Sequence, residues 1–284
     1  MIKLFISSLL ILTISGKTFS QTPNYEVYAL KFGLLNNGKP VPLSVAVLNA
    51  PKNETAKGDF IIWLIKGDNG RKILVDAGFL DDIEEAKNSG VSNYVRPDSM
   101  LLKLGLKPTE ITDIILTHPH WDHMDGVDLF PNAQVWIQKE DFNYFVGTAW
   151  QKEGRVFGFN KRDVLKIVKL NLSGKLTMVD GDNKEIIPGI NVYTGSRHTF
   201  NSQYVLVKCG VDKIIIASDN AYTYYNIEHS MSAPIHATFD TTAYVKAIVR
   251  MKTLASNVKF IIPGHDDLMF SKFPTITEGI IKIK

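Results

Sequence analysis

Two stretches of the chain share one pattern of apolar runs and turns. Residues 60–75 contain an apolar run, an Asp-Asn-Gly turn and a second apolar run, which ends at Asp76. Residues 204–216 repeat this plan around a Gly-Val-Asp turn, and Asp219 follows shortly after. Short apolar runs joined by such turns predict β-hairpins. Each hairpin is therefore expected to bring an aspartate to the end of a strand.

Helical periodicity alternates with these hairpins. Residues 100–106 and 241–256 space their apolar side chains as helices do, and Asp240 is a candidate N-cap of the second. Three further apolar runs predict short strands: residues 111–116, 133–137 and 259–262. The alternation predicts an α/β protein in which two sheets lie between layers of helices, while the order of the strands stays open.

The composition is that of a globular protein, with 45% hydrophobic and 21% charged residues. It excludes a disordered chain, a collagen-like repeat and a bundle of membrane helices. The formal charge is +3, or +1 without Lys3 and Lys17, so nucleic acid is not expected as a partner. Cys209 is the only cysteine and is expected to be buried, which excludes a disulfide framework and a multi-thiolate metal site.

Residues 1–20 have the features of an export signal. Lys3 gives a basic start, residues 4–14 are mostly apolar, and small residues surround a plausible cleavage site before Gln21. A short membrane anchor is the alternative, but a span needs about 20 apolar residues and this run is shorter. We therefore expect a single domain over residues 21–284, located in the periplasm or secreted, with no stable membrane anchor.

Potential metal ligands cluster directly after one predicted strand. His118, His120, Asp122 and His123 lie within six residues of one another. In extended backbone His118 and His120 point the same way, about 6 to 7 Å apart, so both imidazoles can approach one ion. Asp122 and His123 fall at the start of a predicted helix and face another direction. This short segment could therefore serve two ions, and a histidine-rich surface loop is the alternative.

Residues 117–123, Thr-His-Pro-His-Trp-Asp-His, resemble the HxHxDH signature of the metallo-β-lactamase superfamily. Three further matches follow in order: His198 after a Gly-Ser-Arg turn, Asp219 after the second hairpin, and Gly-His at 264–265 after a strand. Residues 219–222 and 264–266 are most similar to those of the N-acyl-homoserine lactone lactonases. The resemblance implies the metallo-β-lactamase fold, a four-layer αββα sandwich of two mixed β-sheets flanked by helices.

The resemblance also implies the metal ligands. One ion would be held by His118, His120 and His198, the other by Asp122, His123 and His265, with Asp219 bridging the two. Imidazole and carboxylate ligands suit zinc, so two Zn²⁺ are the predicted cofactors, although iron, manganese and cobalt stay open. Two such ions, about 3.5 to 4 Å apart, would share a hydroxide, and this hydroxide is the predicted nucleophile.

Two residues are predicted to act in catalysis. The resembling lactonases have an assisting tyrosine at the position of Tyr222, whose phenol could polarise the carbonyl or protonate the leaving alkoxide. The alternative is that Tyr222 packs at a helix start. Asp122 is assigned a catalytic role besides its role as a ligand. Asp76 is expected to orient a ligand histidine through a hydrogen bond. His229 and His236 lie outside the motifs and are expected at the surface or in packing.

These features predict a dinuclear metal-dependent hydrolase that opens a lactone ring, with N-acyl-homoserine lactones as the expected substrates. The alternatives are a thioesterase of the glyoxalase II type, a β-lactamase of the same fold, and a non-catalytic metal-binding protein. The aromatic residues between His123 and His198 are a candidate cover for an acyl chain, with plain packing as the alternative. They are Phe142, Tyr144, Phe145, Trp150, Phe157 and Phe159.

Overall fold

The computed structural model describes residues 23–284, so the predicted signal over residues 1–20 lies outside the described residues. Within residues 23–284 the chain forms fifteen β-strands and eight α-helices. No helix in this part of the chain is both long enough and apolar enough to cross a membrane.

The strands are β1 (Tyr25–Leu34), β2 (Val41–Pro42), β3 (Thr55–Ala56), β4 (Asp59–Gly67), β5 (Lys72–Val75), β6 (Asp113–Ile115), β7 (Gln134–Gln138), β8 (Leu176–Val179), β9 (Lys184–Ile187), β10 (Ile190–Thr194), β11 (Gln203–Cys209), β12 (Asp212–Ser218), β13 (Ile261–Pro263), β14 (Thr275–Thr277) and β15 (Ile280–Lys282). The helices are α1 (Glu84–Asn88), α2 (Pro97–Leu102), α3 (Trp121–Met124), α4 (Lys139–Val146), α5 (Lys161–Leu172), α6 (Tyr224–His229), α7 (Thr241–Leu254) and α8 (Met269–Lys272).

Most of the strands belong to two mixed sheets. The first sheet has eight strands in the order β14-β15-β1-β4-β5-β6-β7-β8. Its strands β5 to β8 are parallel, and its other neighbours are antiparallel. The second sheet has the order β13-β12-β11-β10-β9, in which only β12 and β13 are parallel. The two predicted hairpins are β4–β5 and β11–β12, so both predictions are confirmed.

The alternation of side chains along β4 explains how the layers form. Side chains on successive strand positions point to opposite faces of a sheet. Ile61, Trp63 and Ile65 join the core that is shared with the second sheet and helices α6 and α7. Ile62 and Leu64 join a separate core beneath helices α2, α4 and α5. The predicted αββα sandwich is therefore confirmed.

The predicted helices are present with shifted ends. The helix predicted over residues 241–256 is α7, and the Asp240 side chain caps it by accepting a hydrogen bond from the Ala243 amide at 2.9 Å. The helix predicted over residues 100–106 is α2, which begins earlier because Pro97 occupies its first turn.

Four strands of the two sheets end just before a candidate ligand or before Asp76. In the first sheet, the parallel neighbours β5 and β6 end just before Asp76 and His118. In the second sheet, the parallel neighbours β12 and β13 end just before Asp219 and His265. Because the carboxyl ends of parallel neighbours lie side by side, the loops that follow them can share one site.

Candidate metal centre and active-site cavity

Four of the candidate ligands form a first cluster. The ligand atoms of His118, His120, His198 and Asp219 all lie within 4.8 Å of one another, and all four residues are buried. The Asp219 Oδ2 atom is 3.3 Å from His198 Nε2 and 3.7 Å from His118 Nε2. His120 Nδ1 lies 3.2 Å from His198 Nε2. The four side chains therefore converge on one point.

The remaining three ligands form a second cluster on the other side of Asp219. Asp122 Oδ2 is 3.3 Å from His123 Nε2 and 3.5 Å from His265 Nε2. The Asp219 Oδ1 atom is 3.0 Å from His265 Nε2 and 3.4 Å from His123 Nε2. The two oxygens of one carboxylate thus face different clusters. The structure brings together all seven predicted ligand side chains, and their binding of metal stays a prediction.

Hydrogen bonds fix the orientation of most of the imidazoles. The Nδ1 atoms of four histidines pair with oxygen atoms: His118 with Thr117 Oγ1 at 2.8 Å, His123 with Asp76 Oδ2 at 2.8 Å, His198 with the Ala237 carbonyl at 2.9 Å, and His265 with the Asp59 carbonyl at 2.8 Å. A carbonyl or carboxylate partner requires Nδ1 to carry the hydrogen, which leaves the Nε2 lone pair for a metal.

Asp76 connects the loops that carry the ligands. One oxygen accepts a hydrogen bond from the Thr117 amide at 2.8 Å, and the other pairs with His123 and accepts from the Ser218 hydroxyl at 2.9 Å. The position of Asp76 therefore agrees with its predicted role of orienting a ligand histidine. Asp76, Ser218 and Arg197 all have positive φ angles, of 62°, 48° and 59°. Such strained residues are typical of functional sites.

The donor set fits metal ions. Three buried ligand atoms have no hydrogen-bond partner in the described part of the chain: His118 Nε2, His123 Nε2 and Asp219 Oδ1. Buried polar atoms without partners are costly and need an explanation, which bound cations would provide. Burial lowers the pKa of His118 well below its ordinary value and that of His120 to about 3. Both imidazoles are therefore neutral at pH 7, as a metal ligand must be.

The carboxylates of the site dominate the titration of the second cluster. Burial alone would lower the pKa of His265, but the charges of Asp219 and Asp122 outweigh it and raise that pKa to about 9. In the same way, Asp122, Asp219 and Asp76 raise the pKa of His123 above its ordinary value despite its burial. Metal binding at this cluster would therefore release protons.

A cavity of about 330 Å³ opens over the two clusters. Its wall includes Leu35, Val41 and Val45 from the N-terminal segment and Phe60 from β4. Residues 35–45 carry no motif, so their place in the cavity wall could not be predicted from the sequence. The wall is mostly apolar, while ligands such as Asp219 are accessible at its base. This combination suits a substrate that has a reactive polar group and an apolar part.

Tyr222 lines the cavity beside both clusters. Its ring centroid lies 5.3 Å from that of His198 and 6.0 Å from that of His265. Burial and the nearby charge of Asp219 raise the pKa of Tyr222 well above its ordinary value. The phenol therefore keeps its proton at neutral pH and can act as a hydrogen-bond donor.

Most of the predicted aromatic cover does not reach the cavity. Phe157 lines it with 54% of its surface exposed, whereas the other members belong to the core beneath α4 and α5 or pack against it. They are Phe142, Tyr144, Phe145, Trp150 and Phe159. The cover hypothesis is therefore wrong for these five, because their side chains fill the space between those helices and the first sheet.

Two residues outside the predicted catalytic set also border the cavity. Trp121 packs its ring against Phe79, with centroids 4.8 Å apart, and also lines the cavity. His236 is exposed, as predicted, but it stands at the cavity wall, where its ring centroid is 5.8 Å from that of Phe157. His229 stacks on Tyr225 away from the site. No motif distinguishes His236 from His229, so only the fold reveals the difference.

Comparisons with known proteins agree with this geometry. A family model described as the metallo-beta-lactamase superfamily matches residues 62–265. The chain is similar to an N-acyl homoserine lactonase of Bacillus cereus, with 26% identity over 218 residues, which covers 72% of this chain and 80% of that protein. It is also similar to the N-acyl homoserine lactonase AttM of Rhizobium johnstonii, with 25% identity over 62% of this chain and 65% of that protein.

Solved structures give the same result for the fold. The structure of a quorum-quenching N-acyl homoserine lactone lactonase aligns with a TM-score of 0.69 and 20% identity, over 90% of this chain and 98% of that chain. The dizinc quorum-quenching lactonase AidC aligns with a TM-score of 0.66 and 17% identity, over 93% of this chain and 95% of that chain. At these identities the alignments establish the shared fold.

Proposed function

This chain belongs to the metallo-beta-lactamase superfamily, and we propose that it is an exported dizinc hydrolase that opens the ring of N-acyl-homoserine lactones. One observation carries the proposal: the two oxygens of Asp219 face two separate ligand clusters at the base of a largely apolar cavity. The similarity to proteins named as N-acyl homoserine lactonases supports the choice of substrate class.

The ligand side chains would hold two ions. His118, His120 and His198 would bind the first, Asp122, His123 and His265 would bind the second, and Asp219 would bridge them. Two bound divalent ions lower the pKa of water towards neutrality and polarise a substrate carbonyl. Zinc is the proposed metal because the donors are imidazoles and carboxylates without thiolate, and because the similar lactonase AidC is described as dizinc.

The chain's own residues would handle the substrate and its protons. Tyr222 retains its phenolic proton and lies beside both clusters, so it is suited to donate a hydrogen bond to the oxygen that gains charge. Asp122 borders the cavity as well as the second cluster, so its carboxylate is suited to accept a proton and return it to the leaving alkoxide. Overall, water adds across the ester C–O bond, which yields a hydroxyl group, a carboxylate and one released proton.

The cavity wall suits an acylated lactone. Val41, Val45 and Phe60 offer apolar surface for an acyl chain, while the ring would lie nearer the ligand clusters. A lactone also suits these catalytic groups, because its alkoxide can leave the carbonyl carbon with only modest assistance from an acid.

A panel of substrates tests the proposal. The zinc-loaded mature protein should be assayed with an acyl-homoserine lactone, a simple γ-lactone, a β-lactam, an acyl-glutathione thioester and an aryl phosphodiester. We expect the acyl-homoserine lactone to have the highest kcat/KM, with one added water in the product and an intact acyl amide. A β-lactam or thioester that reacts about a hundredfold faster, or about 2.7 kcal/mol in transition-state binding, would refute the lactonase assignment.

Export is a separate part of the proposal. It rests on the basic start, the apolar run and the small residues of the first twenty positions. After cell fractionation, N-terminal sequencing should find a mature chain that begins near Gln21 in the periplasm or the medium. An uncleaved chain that stays in the cytoplasm would refute export without affecting the hydrolase assignment.

A further inference from the structure

The guanidinium group of Arg155 joins two loops that border the cavity. Its Nη1 atom donates a hydrogen bond to the Thr238 carbonyl and its Nη2 atom donates one to the His236 carbonyl, each at 3.0 Å. The group also lies over the ring of Phe239, 4.4 Å from its centroid. We propose that Arg155 is a positioning residue that holds His120 and His198 in place for the first metal ion. The inference rests on the metal centre of the proposed function and not on its substrate.

The first loop is the tight turn over residues 155–159, which presses against His120. The Gly158 carbonyl accepts a hydrogen bond from the Trp121 amide at 2.9 Å, directly after His120 in the chain. A Cβ atom added at Gly158 would lie 2.5 Å from His120 Cδ2, so the backbone already touches the imidazole. Gly158 also has a φ of 73°, which favours glycine. The turn therefore forms a rigid support behind the His120 ring.

The second loop, residues 236–239, supports His198. The Ala237 carbonyl accepts the hydrogen bond from His198 Nδ1 at 2.9 Å. Ala237 lies between the two residues whose carbonyls Arg155 binds. Arg155 thus fixes the segment on both sides of the carbonyl that sets the orientation of the His198 ring.

The two supported histidines belong to the same cluster, and their ligand atoms lie 3.2 Å apart. The second cluster is held differently, because His123 pairs with Asp76 and His265 pairs with the Asp59 carbonyl. Loss of the Arg155 contacts should therefore weaken metal binding at the first cluster and leave metal binding at the second cluster unchanged. It should also move the cavity wall, because Phe157 and His236 belong to the two joined loops.

The chemistry of the side chain explains why this position needs arginine. The planar guanidinium presents several N–H donors in a fixed fork, which here bind two carbonyls and an aromatic face at once. A lysine ammonium is a flexible point charge that cannot reproduce this arrangement. Arg155→Lys should therefore have most of the effect of Arg155→Ala, although the charge is retained.

The test compares three variants with the wild-type protein. Arg155→Ala and Arg155→Lys remove the link between the loops. The matched control is Arg71→Ala, which removes an arginine bonded to Asp113 Oδ2 at 2.7 Å, at the end of β6 remote from His118. Zinc affinity is measured for each equivalent by competition with a chromogenic chelator. Hydrogen exchange is followed at the amides of residues 156–159 and 237–239.

For both Arg155 variants we expect one of the two zinc equivalents to bind about tenfold more weakly. This is the low end of the loss of metal affinity that follows when a residue supporting a metal ligand is removed. Exchange should accelerate in both loops, and with an acyl-homoserine lactone KM should rise because the wall has moved. The control should keep both affinities. Unchanged affinities, unchanged exchange or an equal loss at both equivalents would overturn the inference.

The readouts separate this inference from the proposed function. A wild-type protein that binds two zinc ions but hydrolyses no lactone would refute the lactonase assignment and leave the role of Arg155 intact. A protein that binds no zinc would refute both.

Discussion

Gly264→Ala should displace the carboxylate that faces both ligand clusters. A Cβ atom at position 264 would lie 2.5 Å from Asp219 Oδ1 and 2.9 Å from the carbonyl carbon of Ser218. Because ordinary van der Waals contact begins at about 3.4 Å, the carboxylate must move by about 0.9 Å. Rotation of the Asp219 side chain alone cannot relieve the clash, since the backbone of Ser218 is also too close.

The expected loss follows from this displacement. A misplacement of about 1 Å in a catalytic site can cost about a hundredfold in rate, or about 2.7 kcal/mol. Overpacking should also lower the free energy of unfolding by about 1 to 3 kcal/mol. The assay is kcat/KM for an acyl-homoserine lactone with zinc in excess, together with the zinc content of the purified variant.

A second glycine provides the matched control. A Cβ atom at Gly33 would meet Phe60 Cδ2 at 3.4 Å and Val91 Cγ1 at 3.5 Å, which are ordinary contacts. Gly33→Ala should therefore keep kcat/KM within a factor of about three. If Gly264→Ala bound two zinc ions and also kept its activity within that factor, the bridging position of Asp219 would not matter and the reasoning would be refuted.

Five further substitutions test other parts of the account. His118→Ala and Asp219→Ala should abolish both zinc loading and turnover, whereas Tyr222→Phe should bind two zinc ions and lose mainly kcat; a Phe variant without metal would show that Tyr222 is structural. Asp76→Asn weakens the hydrogen bond that orients His123 and should reduce zinc affinity about tenfold in a chelator competition, and an unchanged affinity would contradict that role. Asp163 is buried, and both its burial and the neighbouring carboxylate of Asp125 raise its pKa. A raised carboxyl pKa means that the folded state keeps a proton that the unfolded state loses, so the contribution of Asp163 to stability should fall as pH rises from 5 to 8, by up to about 1.4 kcal/mol per pH unit. Asp163→Asn should remove this contribution, so the free energy of unfolding in urea should fall less with pH in the variant than in the wild type, and an identical slope in both would count against the assignment.

The sequence predicted those parts of the fold that local patterns encode. The apolar runs of β4 and β5 and the turn between them define a hairpin within sixteen residues, and the spacing of α7 together with its Asp240 cap defines a helix. Strand β1 was not predicted. Its residues are mostly buried on both faces, as those of β4 are, but no hairpin turn joins it to a neighbouring strand, and its place between β15 and β4 depends on pairings with distant parts of the chain.

The ligands could be predicted and the cavity could not, for a related reason. His118 to His123 are contiguous, so their spacing alone indicates a metal site, and the other ligands each follow a strand within a recognisable motif. The cavity wall combines Val41, Phe157 and His236, which lie far apart in the chain and have no common pattern. Tertiary packing alone brings them together, as it brings Arg155 to the two loops.

A zinc titration of the metal-free protein, with lactone hydrolysis as the readout, tests the central claim most directly. The claim is that two ions at one site, bridged by Asp219, are needed to open the ring. Activity towards an acyl-homoserine lactone should rise with added zinc and reach its plateau at two equivalents per chain, because both clusters must be filled. A plateau at one equivalent, full activity without metal, or no hydrolysis with both equivalents bound would contradict the account.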